Sequence, residues 1–265
     1  MGDRYDDADR YAGAGRRWAT GATLVYGPIA TELVAMSPRP LAGRTVLDVG
    51  AGTGAVSAAL VAVGARAAAI DRALDMLAWD AGTRPPCAVA DVRALPLPDD
   101  SVDAAVAAFV LNHLAEPADG LAELIRVTKP GGPVLATVFS NAGRSQARDQ
   151  IDVLAQQAGW QVPGWYTDLK TNAVPALGSA EAMRAAADAA GLAHVAVDER
   201  PVDVGVTTPQ QLVGYRLGQP AFANWLDSIG PRAVEHFAAA AADAIRPVMQ
   251  PYRPIVVFLA ATTRR

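Results

Sequence analysis

The residues with the clearest chemical content lie in one short run, Val46-Leu47-Asp48-Val49-Gly50-Ala51-Gly52-Thr53-Gly54. An apolar strand runs into glycines that let the backbone turn sharply and approach a ligand closely, because no Cβ intervenes. A helix starts directly afterwards, and the N–H groups and positive end of such a start favour an anionic or electron-rich group. Alone, a glycine-rich turn between strand and helix is weak evidence, since ordinary tight turns use glycine too. Its context adds weight. Asp48, Asp71 and Asp91 each stand at the end of a short apolar run, and in an open parallel sheet the carboxyl ends of the strands form the ligand crevice. Three carboxylates gathered there repel one another unless a ligand or water satisfies them. Asp71 stands where an acid accepts both ribose hydroxyls of a nucleoside. Asp91 stands where one accepts from an exocyclic adenine amine, and Asp48 where one faces a cationic amino group across the turn. The plain alternative for each acid is a cap on the next helix or turn.

Positioning these groups requires strands and helices in alternation. The apolar runs Arg44–Val49, Arg66–Ile70, Cys87–Ala90, Val102–Phe109 and Val134–Phe139 read as strands, with helical stretches at Gly54–Val63, Ala73–Ala81 and Ala118–Val127. The last helix carries Leu121, Leu124 and Ile125 on one face and stops at Lys129-Pro130-Gly131-Gly132. Such alternation predicts βαβ units and a parallel sheet. Beyond Phe139 the pattern loosens. Ser145–Ala158 reads as a helix, Gly159–Gly178 as an irregular segment, and Ser179–Ala190 as a helix capped by Ser179 and ended by Gly191. His194–Val204 and Ile255–Thr263 read as strands, with helices at Pro209–Leu217 and Arg232–Ile245 between them. Residues 1–40, with Tyr5, Tyr11, Trp18, Leu24 and Tyr26, read as a helical cover. The organisation is then a cover over 1–40, a nucleotide-fold core over 41–140, and sheet completion with an inserted helical lid over 141–265.

The chain has 265 residues, a formal net charge of −4, 51% hydrophobic and 19% charged residues. This length suits one large α/β domain, and the acidic balance argues against a dedicated nucleic-acid module. Cys87 is the single cysteine, so no intrachain disulfide forms, and no spacing suggests a metal site. The first ten residues are acidic and polar, unlike a signal peptide. Apolar stretches such as Ala55–Ala69 are interrupted by Ser57, Gly64 and Arg66, short of the ~20 residues a membrane helix needs. A cytoplasmic protein without membrane insertion is expected; the sequence does not specify its oligomeric state.

In combination these motifs resemble the class I S-adenosylmethionine-dependent methyltransferases, especially the small-molecule group of the ubiquinone/menaquinone type. The matching features are Val46–Gly54, Ile70-Asp71, the stretch Asp91–Val106, Leu111-Asn112-His113-Leu114 with Glu116-Pro117, and Arg126–Gly132, where Thr128 replaces the usual leucine. They run in order over about residues 41–140. The resemblance implies a Rossmann-like, doubly wound, mostly parallel seven-stranded sheet whose last strand is antiparallel. It implies S-adenosyl-L-methionine as cofactor, with Gly50, Ala51 and Gly52 against the methionine portion and Asp48 helping to hold its ammonium. Asp71 would hold the ribose, Arg72 and Met76 would cover the adenine, Asp91 and Val92 would meet its edge, and Phe109 would lie beside the methionine arm.

Methyl transfer from a sulfonium is an in-line displacement in which alignment and water exclusion do most of the work. A general base is required only if the acceptor must lose a proton. His113, in the turn after the fourth strand, is the candidate base; the alternative for it is a shape or cofactor contact. His194 reads as structural, and His236, in a helix with Phe237, faces either core or cleft. Trp160, Trp165, Tyr166, Tyr215, Phe222 and Trp225 lie in the cover, where aromatic rings line pockets as readily as cores, and Gly214, Gly218 and Gly230 are candidate hinges. The expected activity is methyl transfer to a small, largely apolar molecule at oxygen, carbon or nitrogen. The alternative is a protein that binds the cofactor without transfer, as cyclisation catalyst, sensor or scaffold. A nicotinamide-dependent dehydrogenase is a further option: Gly50, Gly52 and Ala55 fit G-x-G-x-x-G/A. It is weakened by Asp48 before the glycines, where a pyrophosphate would be repelled, and by the lack of a Tyr-x-x-x-Lys pair.

Overall fold

The computed structural model describes residues 10–11 and 13–264; the expectation placed on Tyr5 lies outside the described residues. The alternating runs form seven strands: β1 Thr45–Val49, β2 Arg66–Asp71, β3 Cys87–Val89, β4 Ala104–Ala108, β5 Pro133–Phe139, β6 Ala193–Pro201 and β7 Ile255–Thr262. They make one sheet in the order β3-β2-β1-β4-β5-β7-β6. β1 to β5 pair in parallel. β7 runs antiparallel and slots between β5 and β6, so the last strand is indeed the reversed one. Strand order changes direction between β1 and β4, and a crevice opens at such a switch point.

Successive side chains of a strand point to opposite faces, and here both faces are apolar. Val46, Ala104, Val106, Leu135 and Phe258 pack with the Thr23–Ala35 and Ala55–Ala62 helices on one side. Leu47, Val49, Ala105, Val134 and Leu259 pack with Leu121, Leu124 and Met183 of the Pro117–Val127 and Ala180–Ala189 helices on the other. Helices on both faces are what a parallel sheet requires. Arg126 fastens the loop before β4: it pairs with Glu123 and Asp99 and donates to the carbonyls of Leu95 and Leu97. Thr128, the departure from the usual leucine, buries its hydroxyl at no loss because it donates to Leu124 O at 2.7 Å.

The cover departs from expectation in instructive places. The segment read as irregular contains a helix at Gly164–Asp168, a π turn at Leu169–Ala173 and a 3₁₀ turn at Val174–Ala176. Its prolines stand at or just before the first helical turn, where proline removes no needed donor and pre-sets φ. A helix at Ala223–Ile229 has no counterpart in the sequence reading. Trp160 stacks on Phe222 at 3.9 Å and donates to Ala221 O, while Trp225 meets Phe237 edge-on at 5.0 Å. These three cover aromatics belong to the core. Among the described residues no helix is long and apolar enough to cross a membrane.

Gly21 and Gly218 lie at a close contact between elements, to which Gly214 contributes its carbonyl. A Cβ at Gly21 would stand 2.3 Å from Gly214 O, and one at Gly218 would stand 2.9 Å from Arg17 O. The Pro209–Leu217 helix thus lies directly against the π turn Trp18–Ala22. Because the obstacle at Gly21 is backbone, Gly21→Ala is expected to destabilise the fold by about 1–3 kcal/mol, the usual cost of overpacking. A urea unfolding midpoint equal to that of the parent would contradict this packing.

Candidate functional site

The turn after β1 is shaped by left-handed glycines and sewn to the neighbouring strand. Gly50 and Gly52 have φ of 69° and 52°, and a Cβ at Gly50 would strike the Val110 side chain at 2.6 Å. Gly50 N and Ala51 N both donate to Ile70 O, at 2.8 and 3.0 Å. Gly52 N donates to the Asp71 carboxylate at 2.7 Å. The turn's amides, expected to face a ligand, are therefore taken up by β2. At Gly50 and Gly52 the turn presents backbone without a side chain, which a ligand can approach closely.

That surface borders a cavity of about 620 Å³ at the carboxyl ends of the strands. Of the residues singled out in the sequence, Gly50, Ala51, Gly52, Asp71, Arg72, Met76, Asp91, Val92, Phe109 and His113 all line it. Asp48 does not. It lies beneath the turn, 1% exposed, and accepts from the Ser57 hydroxyl at 2.6 Å and from the Ser57 backbone N–H. Its carboxylate thereby serves the first turn of the Ala55–Ala62 helix, where negative charge is favoured. The other carboxylate oxygen is buried without a partner. Such an orphan suits a cation, or a water relayed to one, so the role for Asp48 is one step removed from direct contact.

Asp71 uses one oxygen for Gly52 N and the other for Ala73 N, both within 2.8 Å. Each oxygen retains accepting capacity for a hydroxyl. Burial raises its pKa, offset in part by those amides and by Arg84. Asp91 is held by Arg93 at 2.7 and 3.0 Å, with Arg72 at 3.7 Å, and the Arg93 bonds pull its pKa below the ordinary carboxylate range. Met76 is 2% exposed and floors the cavity beside Gly52. Phe109 adopts φ of 58°, a strained conformation for a non-glycine. Its amide is held by Thr137 O at 2.8 Å, and its ring packs on Phe139 and Tyr26 at 4.5 and 4.8 Å.

His113 closes a 3₁₀ turn at Leu111–His113, 3.5 Å from the Tyr11 hydroxyl. Burial, with help from Arg10, pushes its pKa down to about 4. The ring is neutral at pH 7, a hydrogen-bond partner of low basicity. Beside it, Asn112 is buried with an unpartnered side-chain oxygen on the cavity wall. The sequence reading quoted Asn112 only as part of a motif.

A second lobe lies by the ends of β5 and β7. Trp18, Tyr26, Phe139, Trp165, Tyr166, Tyr215 and Tyr252 give it an aromatic wall, among which Arg144, Arg148 and Arg216 intervene. Trp165, Tyr166 and Tyr215 were foreseen as cover residues. Phe139, Tyr252 and the three arginines were not weighed, and no local motif marks them. His236 lies exposed on the Pro231–Ile245 helix and His194 is exposed as well; neither reaches the cavity.

Asp48 supplies a pH test of this geometry. Burial raises its pKa to about 7 from an ordinary 3.8, with Asp71 adding to the rise and Ser57 and Arg84 opposing it. The folded state therefore holds a proton that the unfolded chain releases between these values. The contribution favours the fold at low pH and is lost as pH rises from about 3.8 through about 7. Asp48→Asn, which stays neutral, is expected to gain urea resistance relative to the parent between pH 5 and pH 8. A parent-to-variant difference independent of pH would refute the buried acid.

Comparison with known proteins agrees with this geometry. Residues 47–136 match the family model described as a methyltransferase domain. The demethylmenaquinone methyltransferase of Clavibacter sepedonicus is 45% identical over 106 residues, covering 38% of this chain and 43% of that protein. That of Renibacterium salmoninarum is 36% identical over 140 residues, covering 52% and 57%. The chain thus spans about half the length of the curated relatives it matches. Among solved structures, phosphoethanolamine N-methyltransferase 2 of Haemonchus contortus, in complex with S-adenosyl-L-methionine, shares the fold. The TM-score is 0.57 at 16% identity, covering 89% of this chain and 52% of that one. The glycine backbone of the turn, Asp71 with accepting capacity to spare, and the orphaned Asp48 oxygen fit S-adenosylmethionine as the cofactor. Residues 47–136 are thus similar to a methyltransferase domain, the curated relatives they resemble are demethylmenaquinone methyltransferases, and the chain shares the fold of a solved S-adenosyl-L-methionine-bound methyltransferase.

Proposed function

We propose that the protein transfers a methyl group from S-adenosylmethionine to a small molecule with a largely apolar body, bound in the aromatic lobe of the cavity. The observation that carries this reading is the continuity of that lobe with the Gly50–Gly52 turn and Asp71 in one 620 Å³ cavity. When bound, the cofactor supplies a methyl group already activated by a positive sulfur. The protein's own residues have three tasks. Asp71 accepts from the ribose hydroxyls while its bond to Gly52 N keeps the turn in place. Asp91 and Val92 border the adenine end and Met76 supports it from below, with Asp91 shared between the ligand and Arg93.

The aromatic rings around Phe109 and Tyr26 hold the acceptor and exclude water, and alignment of this kind is worth up to ~7–11 kcal/mol of barrier. His113, neutral above a pKa of about 4, accepts a hydrogen bond from the acceptor or from Tyr11. It orients the acceptor and has little power to deprotonate it.

Two measurements test this assignment. S-adenosylhomocysteine should raise the melting temperature while NADH does not, and Asp71→Ala should weaken S-adenosylhomocysteine binding by about tenfold or more, the worth of hydrogen bonds to a charged group. Methyl-labelled cofactor incubated with candidate acceptors should yield labelled product; rearranged product without label would favour cofactor binding without transfer. With an active acceptor in hand, His113→Gln should lower kcat only modestly and leave the pH–rate profile without an inflection near 6.5 to lose. An inflection near 6.5 that disappears in the variant would make His113 a true base.

A further inference from the structure

Charge around the cavity is unevenly divided. The end near β1 to β3 balances Asp71 and Asp91 with Arg72 and Arg93. Among the described residues, the lobe near β5 and β7 is lined by Arg144, Arg148, Lys170, Arg216 and Arg253 against a single carboxylate, Asp152. This concentration occurs in a chain whose formal net charge is −4.

The cations are not equivalent. Arg216, 5% exposed, is neutralised by Asp152 at 2.6 and 2.8 Å and donates to the Tyr166 hydroxyl at 3.2 Å. It is stacked against Phe222 at 4.8 Å and so serves the wall. Arg253 pairs with Asp203 at 3.0 Å. Arg144 donates to the carbonyls of Asn141 and Gly143. Arg148 differs. It sits in the first turn of the Gln146–Gln157 helix, directly after β5, and its carboxylate partner is its neighbour Asp149, which is 55% exposed. Such a surface pair holds a guanidinium weakly. The positive field of Arg148 falls on the phenols of Tyr252 and Tyr215. Those rings lie 5.6 Å apart, and Tyr215 is buried with no hydrogen bond to its hydroxyl among the described residues. The guanidinium and the two phenols line the same cavity, and each phenol has an O–H to donate.

Resting on the methyl-transfer reading above, we infer that the acceptor carries an oxyanion, bound by the Arg148 guanidinium with the Tyr215 and Tyr252 hydroxyls. The acceptor is then an apolar, ring-sized body with a carboxylate or phosphate at one end. The planar fork of arginine matches such a group with two donors, and the surrounding rings keep that interaction dry enough to discriminate. An uncharged analogue of the same shape would leave these donors unpaired, which is how a site rejects it.

The test uses 2-naphthoate, 2-naphthyl phosphate and the neutral 2-naphthamide, titrated into the full chain by calorimetry with and without S-adenosylhomocysteine. At least one anion is expected to bind about tenfold or more tighter than the amide, as a charge-assisted contact allows; which anion does so identifies the headgroup. Arg148→Gln should abolish that preference while leaving amide affinity unchanged, and Arg148→Lys should retain part of it. Equal affinity for acid and amide overturns the inference, as does failure of both anions to bind or a preference that survives in Arg148→Gln. The comparison in the unaltered protein decides the matter even if the glutamine variant does not fold. S-adenosylhomocysteine titrated into the same sample separates the two claims: if it fails to bind while the anion preference persists, the methyl-transfer reading falls and the oxyanion site stands.

Discussion

The Asp71 carboxylate on the Gly52 amide is the contact on which the site depends. Together with the two amides that converge on Ile70 O, it ties the turn after β1 to the end of β2. These are adjacent parallel strands whose tips would otherwise be free to splay. Held this way, the left-handed glycines face the cavity with no side chain of their own, and Asp71 is fixed with its remaining lone pairs toward it. A hydrogen bond to a charged acceptor is worth more than a neutral one, and Asp71 makes two while partly buried. The fold of the turn and the proposed ligand contact therefore rest on the same carboxylate. An acid placed only for a ligand would have no reason to grip the turn, and one placed only for the turn would have no reason to line the cavity.

The three acids at the strand tips divide their labour by depth. Asp48, deepest, is raised to a pKa of about 7 by burial and caps a helix through Ser57. Asp71, at the cavity wall, is raised by burial and partly restored by amides. Asp91, the most open, is held low by Arg93. The repulsion that three clustered carboxylates imply is thus eased by a shift toward the protonated form at one, backbone donors at the second and guanidinium at the third. The expectation that each acid either caps or binds is too sharp, since Asp48 and Asp71 both brace the turn region and Asp71 also lines the cavity.

Legibility in the sequence followed the range of the interactions. The β1 to β5 unit was readable because each strand, turn and following helix is written in contiguous residues, and its candidate cofactor residues sit at strand ends that the pattern itself marks. The Ser179 cap and the Gly191 stop were readable for the same local reason. The second lobe was not. Tyr26, Phe139, Arg148, Tyr215 and Tyr252 come from five separate elements or connections, brought together only because β7 inserts beside β5 and the Pro209–Leu217 helix presses on the Trp18–Ala22 turn. Residue type also misled where chemistry was ambiguous. Trp160 and Trp225 are as apolar as Trp165, yet only Trp165 lines the cavity. Gly218, read as a hinge, is instead a point of close approach to Arg17 O and Ala22 N, because a missing Cβ permits packing as well as motion.

The aromatic lobe also accounts for the electrostatics of its neighbours. His113 is driven down to about 4, while Tyr26 and Tyr215 are driven up, each chiefly by burial. All three shifts favour the neutral form, as expected where rings displace water. In such surroundings no weakly held base is kept charged, and a charge that does enter is felt strongly. The lobe thus suits a reaction whose electrophile arrives already activated, leaving the protein to align two reactants and keep water out. The same dryness gives Arg148, set at the margin of the rings, a longer reach than it would have on an open surface. A chain of net negative charge has collected cations around one lobe, beside rings that would turn that collection into selectivity for the oxyanion proposed above.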